Sequence, residues 1–162
     1  MAPAKDLWGP IFGGWNHFGA IAVCPNGDVL AVWYTTDREE GRECAQAACR
    51  LRAGSDKFDP PSFFSGTPDC NTHAPVLLGD GKKLYHFFTQ SFAGWDDSAD
   101  CLRTSDDGKT WPHVRKVVGP TGSMSLGQAP NGPIYQLGPS GGAPDRCVAY
   151  NEAWLKEGNP VK

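Results

Sequence analysis

The chain has 162 residues, enough for one domain with a real core, and 15 Lys plus Arg against 18 Asp plus Glu leave a net charge of −3. That mild acidity argues against a nucleic-acid partner or an anionic membrane surface, and no uncharged apolar run approaches the roughly 18 residues of a bilayer span. The 20 Gly and 14 Pro, set beside six Trp and eight Phe, point to a turn-rich, all-β fold and against long helices.

The opening stretch, Met1 to Trp8, has no apolar core, so the sequence as given shows no secretory leader; a secreted or periplasmic setting stays open if one was removed. Gly19–Val23 then reads as a strand, Pro25-Asn-Gly as a turn and Val29–Tyr34 as an alternating strand. A polar loop follows, then a third strand over Cys44–Leu51 and a tight turn closed by Phe58. The same order recurs as Ala74–Leu78, the Asp-Gly turn at Gly81, Leu84–Phe88, Asp100–Thr104 and Trp111. A third, weaker copy runs through Ser125–Ala129, the Asn-Gly at Gly132, Ile134–Leu137, Arg146–Tyr150 and Trp154.

The marker glycines Gly27, Gly81 and Gly132 lie 54 and 51 residues apart. Asn-Gly and Asp-Gly between apolar runs are hairpin signals, because both residues tolerate positive φ. A unit of about 50 residues with this order has the texture of a four-stranded propeller blade. Strands every 8–12 residues also suit a sandwich; the repeat register favours the blade. The expectation is a single domain over 1–162 with three units, at about 16–64, 65–118 and 119–162.

The sharpest motif is Ser105-Asp-Asp-Gly-Lys-Thr-Trp111. Short side chains such as Ser105 and Asp107 can bond nearby N–H groups, Gly108 can take positive φ, and Trp111 can plug the core. It resembles the Asp-box of sialidase-type β-propellers, with one residue fewer between Asp107 and Gly108. Arg52–Phe58 is a degenerate copy, and Arg50 and Arg103 each stand eight residues before the closing aromatic. One of these arginines is expected to bond the Asp-box turn. Asn16-His17, Gly41-Arg-Glu43, Arg50-Leu-Arg52, Asn71-Thr-His-Ala-Pro75 and Leu84-Tyr-His-Phe extend the resemblance, over Asn16–Trp111, to bacterial exo-sialidase-like proteins with BNR repeats.

The resemblance implies a sialidase-like β-propeller, a carbohydrate ligand, glycoside hydrolysis of acidic glycans and no cofactor. Three units make half of a six-bladed ring, so a homodimer that completes the ring is expected. Alternatives are a propeller lectin using Trp15, Trp95 and Phe92, a uronate lyase, and a non-catalytic fragment or scaffold. No segment matches the family's first substrate-binding arginine.

In a propeller, chemistry gathers at one mouth of the axis. Residues mapping there are Asn16, His17, Asn71, Thr72 and His73, with Asp37, Arg38, Glu39, Arg42, Glu43, Trp95, Asp96 and Asp97 from the long middle loops. An Asn and a His recur at 16–17 and at 71–73, either as loop caps or as ligand-handling groups. Arg42 and Arg38 suit a sugar carboxylate, with Asn16, Asn71 and Trp95 as further substrate contacts. Glu43, His17 and His73 are the acid–base candidates; the bland reading of Arg42 and Glu43 is a surface ion pair. His86, between aromatics on a strand, reads as a core histidine, and His113 as exposed. The six cysteines form no CxxC pair or zinc spacing, so no metal is expected; disulfides and buried thiols both stay open.

Overall fold

The computed structural model describes residues 5–6, 9–10, 15–37, 44–91, 98–116, 125–128, 134–138 and 146–150, with side chains described only between 15 and 115. The chain is all-β, as expected, and the described residues contain no helix, so none long and apolar enough to cross a membrane. A short hairpin, β1 (Lys5–Asp6) with β2 (Gly9–Pro10), precedes three antiparallel sheets.

The first sheet is a meander of β3 (Trp15–Val23), β4 (Val29–Thr36), β5 (Ala45–Leu51) and β6 (Ser62–Ser65). The second repeats it with β7 (Asn71–Gly79), β8 (Leu84–Ser91), β9 (Ser98–Ser105) and β10 (Arg115–Lys116). The third contains β11 (Ser125–Gln128), β12 (Ile134–Gly138) and β13 (Arg146–Tyr150). The first strands meet in succession, β3 against β7 and β7 against β11.

The turns explain the register. Gly27 and Gly81 both take left-handed φ, at 85° and 81°. They sit in connections longer than a two-residue hairpin. Cys24 N–H bonds the Asp28 carbonyl at 2.7 Å, and Asp80 N–H bonds the Lys83 carbonyl at 3.1 Å. The last pairs before the turns, Val23 with Val29 and Gly79 with Leu84, therefore align the two sheets residue by residue.

Alternation along the strands fixes which faces meet. Ala20, Ala22, Leu30, Val32 and Ala48 of the first sheet pack with Leu77 and Leu84 of the second, and Cys24, Phe64 and Trp111 complete this core. Ala20, Ala22 and Ala48 leave room beside Leu30 and Val32 for the leucines of the second sheet. Each buried leucine or valine contributes roughly 1.5–3 kcal/mol on area grounds. All five cysteines whose side chains are described are free thiols, four of them buried. Burial pushes the Cys44 thiol up to about 12.

Candidate functional site

One device occurs twice. On β3, His17 faces Tyr34 and the next pair is Ala20 with Val32, so Phe18 and Gly19 lie opposite Trp33 alone. On β7, His73 faces Thr89 and the next pair is Val76 with Phe87, so Ala74 and Pro75 lie opposite Phe88 alone. The extra residue is a β-bulge, with left-handed φ of 51° at Phe18 and 45° at Ala74. Asn16, His17, Asn71 and His73 were expected on loops. They lie on strands instead, because the bulge lets pairing continue beyond the histidine to the strand end. The equivalent of Asn16 is Thr72, not Asn71.

The two bulges bring both histidines to one aromatic side chain. The His17 ring stacks on Tyr34 at 5.4 Å between centroids, and His73 meets Tyr34 edge-on at 6.2 Å. Trp15 and Phe18, on the same strand, add rings 5.5 Å from His17 and 6.1 Å from Tyr34. Asn16 Oδ1 accepts a bond from Trp33 Nε1 at 2.9 Å, which holds this end of β3.

Beneath this aromatic layer the strand ends are polar and buried: Thr35, Thr36, Gln46, Asn71, Thr72, His73, Thr89, Ser91 and Asp100. All come from the end where β3, β5, β7 and β9 begin and β4 and β8 finish. The two sheets are joined here by Thr72 N–H to the Cys44 carbonyl at 2.8 Å and by Gln46 Nε2 to the His73 carbonyl at 3.3 Å. Thr89 donates to Asp100 Oδ1 at 3.3 Å. Among the described residues, Gln46 Oε1, Asn71 Oδ1, Thr72 Oγ1 and Ser91 Oγ have no partner. Burying such groups unpaired costs on the order of 1–3 kcal/mol each. His73 is 1% exposed, and burial lowers its pKa to about 4, so it is a neutral imidazole at pH 7.

The opposite end is built for holding. Gly108 N–H donates to Ser105 Oγ at 2.8 Å, and Asp107 Oδ1 accepts the Lys109 and Thr110 N–H groups, both at 2.7 Å. Those N–H groups hold the Asp107 carboxyl far below the usual carboxylate range. Gly108 has φ of 69°, and a Cβ there would lie 2.7 Å from Cys24 Sγ. Arg50 of the first sheet donates to the Gly108 carbonyl and to Asp28 Oδ2 at 3.2 Å. An arginine therefore does bond the Ser105–Trp111 turn, and it reaches across from the neighbouring sheet.

Arg103 does something else. Its Nε donates to His86 Nδ1 at 2.9 Å, and its guanidinium lies 4.4 Å from the Phe64 ring and 5.1 Å from that of Trp111. Burial lowers the Arg103 pKa to about 10. Burial first, and then the Arg103 charge, hold His86 well below its usual range. The two arginines do not share a register: Arg50 pairs with Leu30, one residue beyond the turn pair, whereas Arg103 pairs with His86, two beyond it. The turn from Leu51 to Phe58 is one residue longer than that from Ser105 to Trp111, so counting back from the aromatic misplaces one of them. Phe58 itself is 46% exposed and does not plug a core as Trp111 does.

The structure thus joins His17 and His73 through Tyr34 and sets Asn71 two residues before His73 on the same strand, while Asn16 turns to Trp33 on the other face of its sheet. Arg38, Arg42, Glu43 and Trp95 lie outside the described residues, as do Phe92 and Trp154. Tyr34, Gln46 and Asp100 were not singled out as site residues, whereas Thr72 was expected at the mouth with Asn71 and His73. A lone Gln in the apolar run of β5 and a Thr pair after Tyr34 were the available signals. Among the described residues, no three His, Cys, Asp or Glu side chains are grouped to hold a metal ion. No protein-family model matches the chain, and no curated protein is significantly similar to it in sequence.

Proposed function

We propose that the chain is a carbohydrate-active protein of sialidase-like β-propeller type that hydrolyses acidic glycans at the polar end of its sheets. The observation that carries this reading is the doubled bulge that seats His17 and His73 on Tyr34 above a buried polar layer. Successive contact of β3, β7 and β11 supports a blade arrangement around an axis, and the Asp-box turn lies at the far end of the strands, away from the ligand.

The connections from Thr36 to Cys44 and from Ser91 to Ser98 start and finish at this polar end, and they carry Arg38, Arg42, Glu43 and Trp95. In this reading Arg42 and Arg38 neutralise the sugar carboxylate, Trp95 and Asn71 position the ring, and Glu43 handles the proton of the departing alcohol. Neutral His73 is covered and orients Tyr34, while half-buried His17 is the imidazole that a ligand meets. The test is sugar release from a panel of sialylated and uronate-bearing oligosaccharides. Turnover is expected, and Glu43→Gln and Arg42→Ala should each abolish it with the fold intact; full activity in both variants would refute the assignment.

The aromatic group favours a second reading, glycan binding without hydrolysis. Trp15 and Phe18 are 45% and 59% exposed beside His17, a platform suited to a sugar face. Calorimetric binding with no product released would support it, and Trp15→Ala should then weaken binding. Neither binding nor turnover across the panel would remove both readings.

A further inference from the structure

The first two sheets differ in kind at one register of the polar end. Counting from the turn pairs, Trp15, Tyr34, Thr36 and Gln46 of the first sheet correspond to Asn71, Thr89, Ser91 and Asp100 of the second. In the first sheet these positions carry two aromatic rings, and Gln46 uses its Nε2–H to reach the next sheet at the His73 carbonyl. In the second sheet all four side chains are short and present oxygen, and Asp100 has no N–H with which to repeat that link. All four are at most 6% exposed.

Their unmet groups are acceptors. Among the described residues Asn71 Oδ1 and Ser91 Oγ have no partner, and both are closed to solvent. Asp100 adds a buried carboxylate, held by the Thr89 hydroxyl at 3.3 Å. Unpaired oxygens beside a buried negative charge call for a positive group. Register sets the spacing. Asn71 stands directly opposite Ser91, which puts their Cβ atoms about 5 Å apart. Asp100 lies two residues beyond Ser98, the partner of Ser91 on β9, so it is the diagonal neighbour of Ser91 at about 7 Å. Over those spans the three oxygens can come within about 5 Å of one another, the separation of two ligands on either side of a Ca²⁺ at about 2.4 Å. A hydrogen-bonded water stands off at about 2.8 Å, so a bare cation suits groups packed too closely for solvent to touch.

We propose that Asn71 Oδ1, Ser91 Oγ and the Asp100 carboxylate bind a hard, oxygen-seeking cation of the size of Ca²⁺, with Thr89 orienting the carboxylate. Such a set contains one carboxylate, one amide and one hydroxyl, so it is not a grouping of His, Cys, Asp and Glu. Ser98, in the same row, is half-buried and leaves the row an entry from solvent. Three protein ligands and one charge make a weak site, with Kd of about 0.1–1 mM, and water fills the rest of the shell. Coordination through Oδ1 leaves Asn71 Nδ2 for a sugar, so the site does not depend on the carbohydrate reading and its test uses no glycan.

Calorimetric titration of the chelator-washed 162-residue chain with CaCl₂ at fixed ionic strength tests it. One ion per chain is expected, and about 10 mM CaCl₂ should raise Tm by about 3 °C or more. Asp100→Asn keeps the shape and removes the charge, and should weaken binding by about tenfold or more; Ser91→Ala removes one ligand and should weaken it by about threefold or more. If Asp100→Asn does not fold, Ser91→Ala still decides. Asp106→Asn, which alters an exposed carboxylate in the far turn, should bind Ca²⁺ as the parent does. No heat and no rise in Tm up to about 10 mM CaCl₂ would overturn the proposal. An equal rise with MgCl₂ would also overturn it, as would unchanged binding in folded Ser91→Ala.

Discussion

His73 offers the clearest link between burial and a measurable quantity. It is 1% exposed, and burial lowers its pKa to about 4 from an ordinary value of 6.5. In the unfolded chain the imidazole takes up a proton near pH 6.5, whereas in the folded chain it stays neutral until about pH 4. Between those values the unfolded state holds more protons, so stability falls as pH is lowered. The loss is complete near pH 4 and amounts to about 3 kcal/mol, at roughly 1.4 kcal/mol per unit. His86, buried and facing Arg103, acts in the same direction. A variant comparison isolates His73: the stability difference between the parent and His73→Gln should shrink by about 3 kcal/mol from pH 7 to pH 4. Urea unfolding followed by tryptophan fluorescence, at one fixed protein concentration, gives that difference at each pH. The carboxylates Asp28 and Asp107, both held below their usual range, lose their contribution only at lower pH. A difference that stays constant from pH 7 to pH 4 would refute the reasoning and show that folded His73 accepts a proton freely.

Three further outcomes follow from the geometry. Gly108→Ala forces a side chain into left-handed backbone and against Cys24 Sγ, and should cost about 2–4 kcal/mol; adding Cys24→Ala should restore part of it, which thermal unfolding of the single and double variants will show. Thr72→Val removes a fully buried, unpartnered hydroxyl at constant shape and should raise stability by about 1 kcal/mol, or Tm by about 2–4 °C; a lower Tm would show that the hydroxyl is satisfied. Arg103→Lys keeps the charge but gives up the stacking on Phe64 and Trp111 and the bond to His86, and should lower stability by about 2 kcal/mol in urea unfolding.

The strand order was legible because alternation and Gly turns are local signals. Val29–Tyr34 and Leu84–Phe88 fall inside β4 and β8, and Arg146–Tyr150 is β13 residue for residue. The turn from Ser105 to Trp111 was legible for the same reason, since Ser105, Asp107 and Gly108 act on neighbours within three residues. The bulges were not, because a two-against-one pairing depends on the partner strand; His17 and His73 therefore looked like loop residues. The placement of Arg50 and Arg103 failed on a one-residue difference between two turns. Tyr34 and Gln46 sit in apolar runs, and only the packing of β7 on the first sheet reveals that they border a polar layer.

Seven residue steps along β9 separate Ser98, at the polar end, from Ser105, in the turn that ends at Trp111, a span of about 24 Å at about 3.4 Å per residue. Changes farther apart than about 10 Å that share no partner add almost independently. On the proposed reading, stability and ligand choice are thus tunable on separate axes in this molecule. Substitutions around Arg50, Cys24 and Gly108 set how much destabilisation the chain tolerates, while the connections after Thr36 and Ser91 can be diversified within that margin. A library built on those two connections, carried on a background strengthened at the far end, should return summed effects rather than epistatic ones.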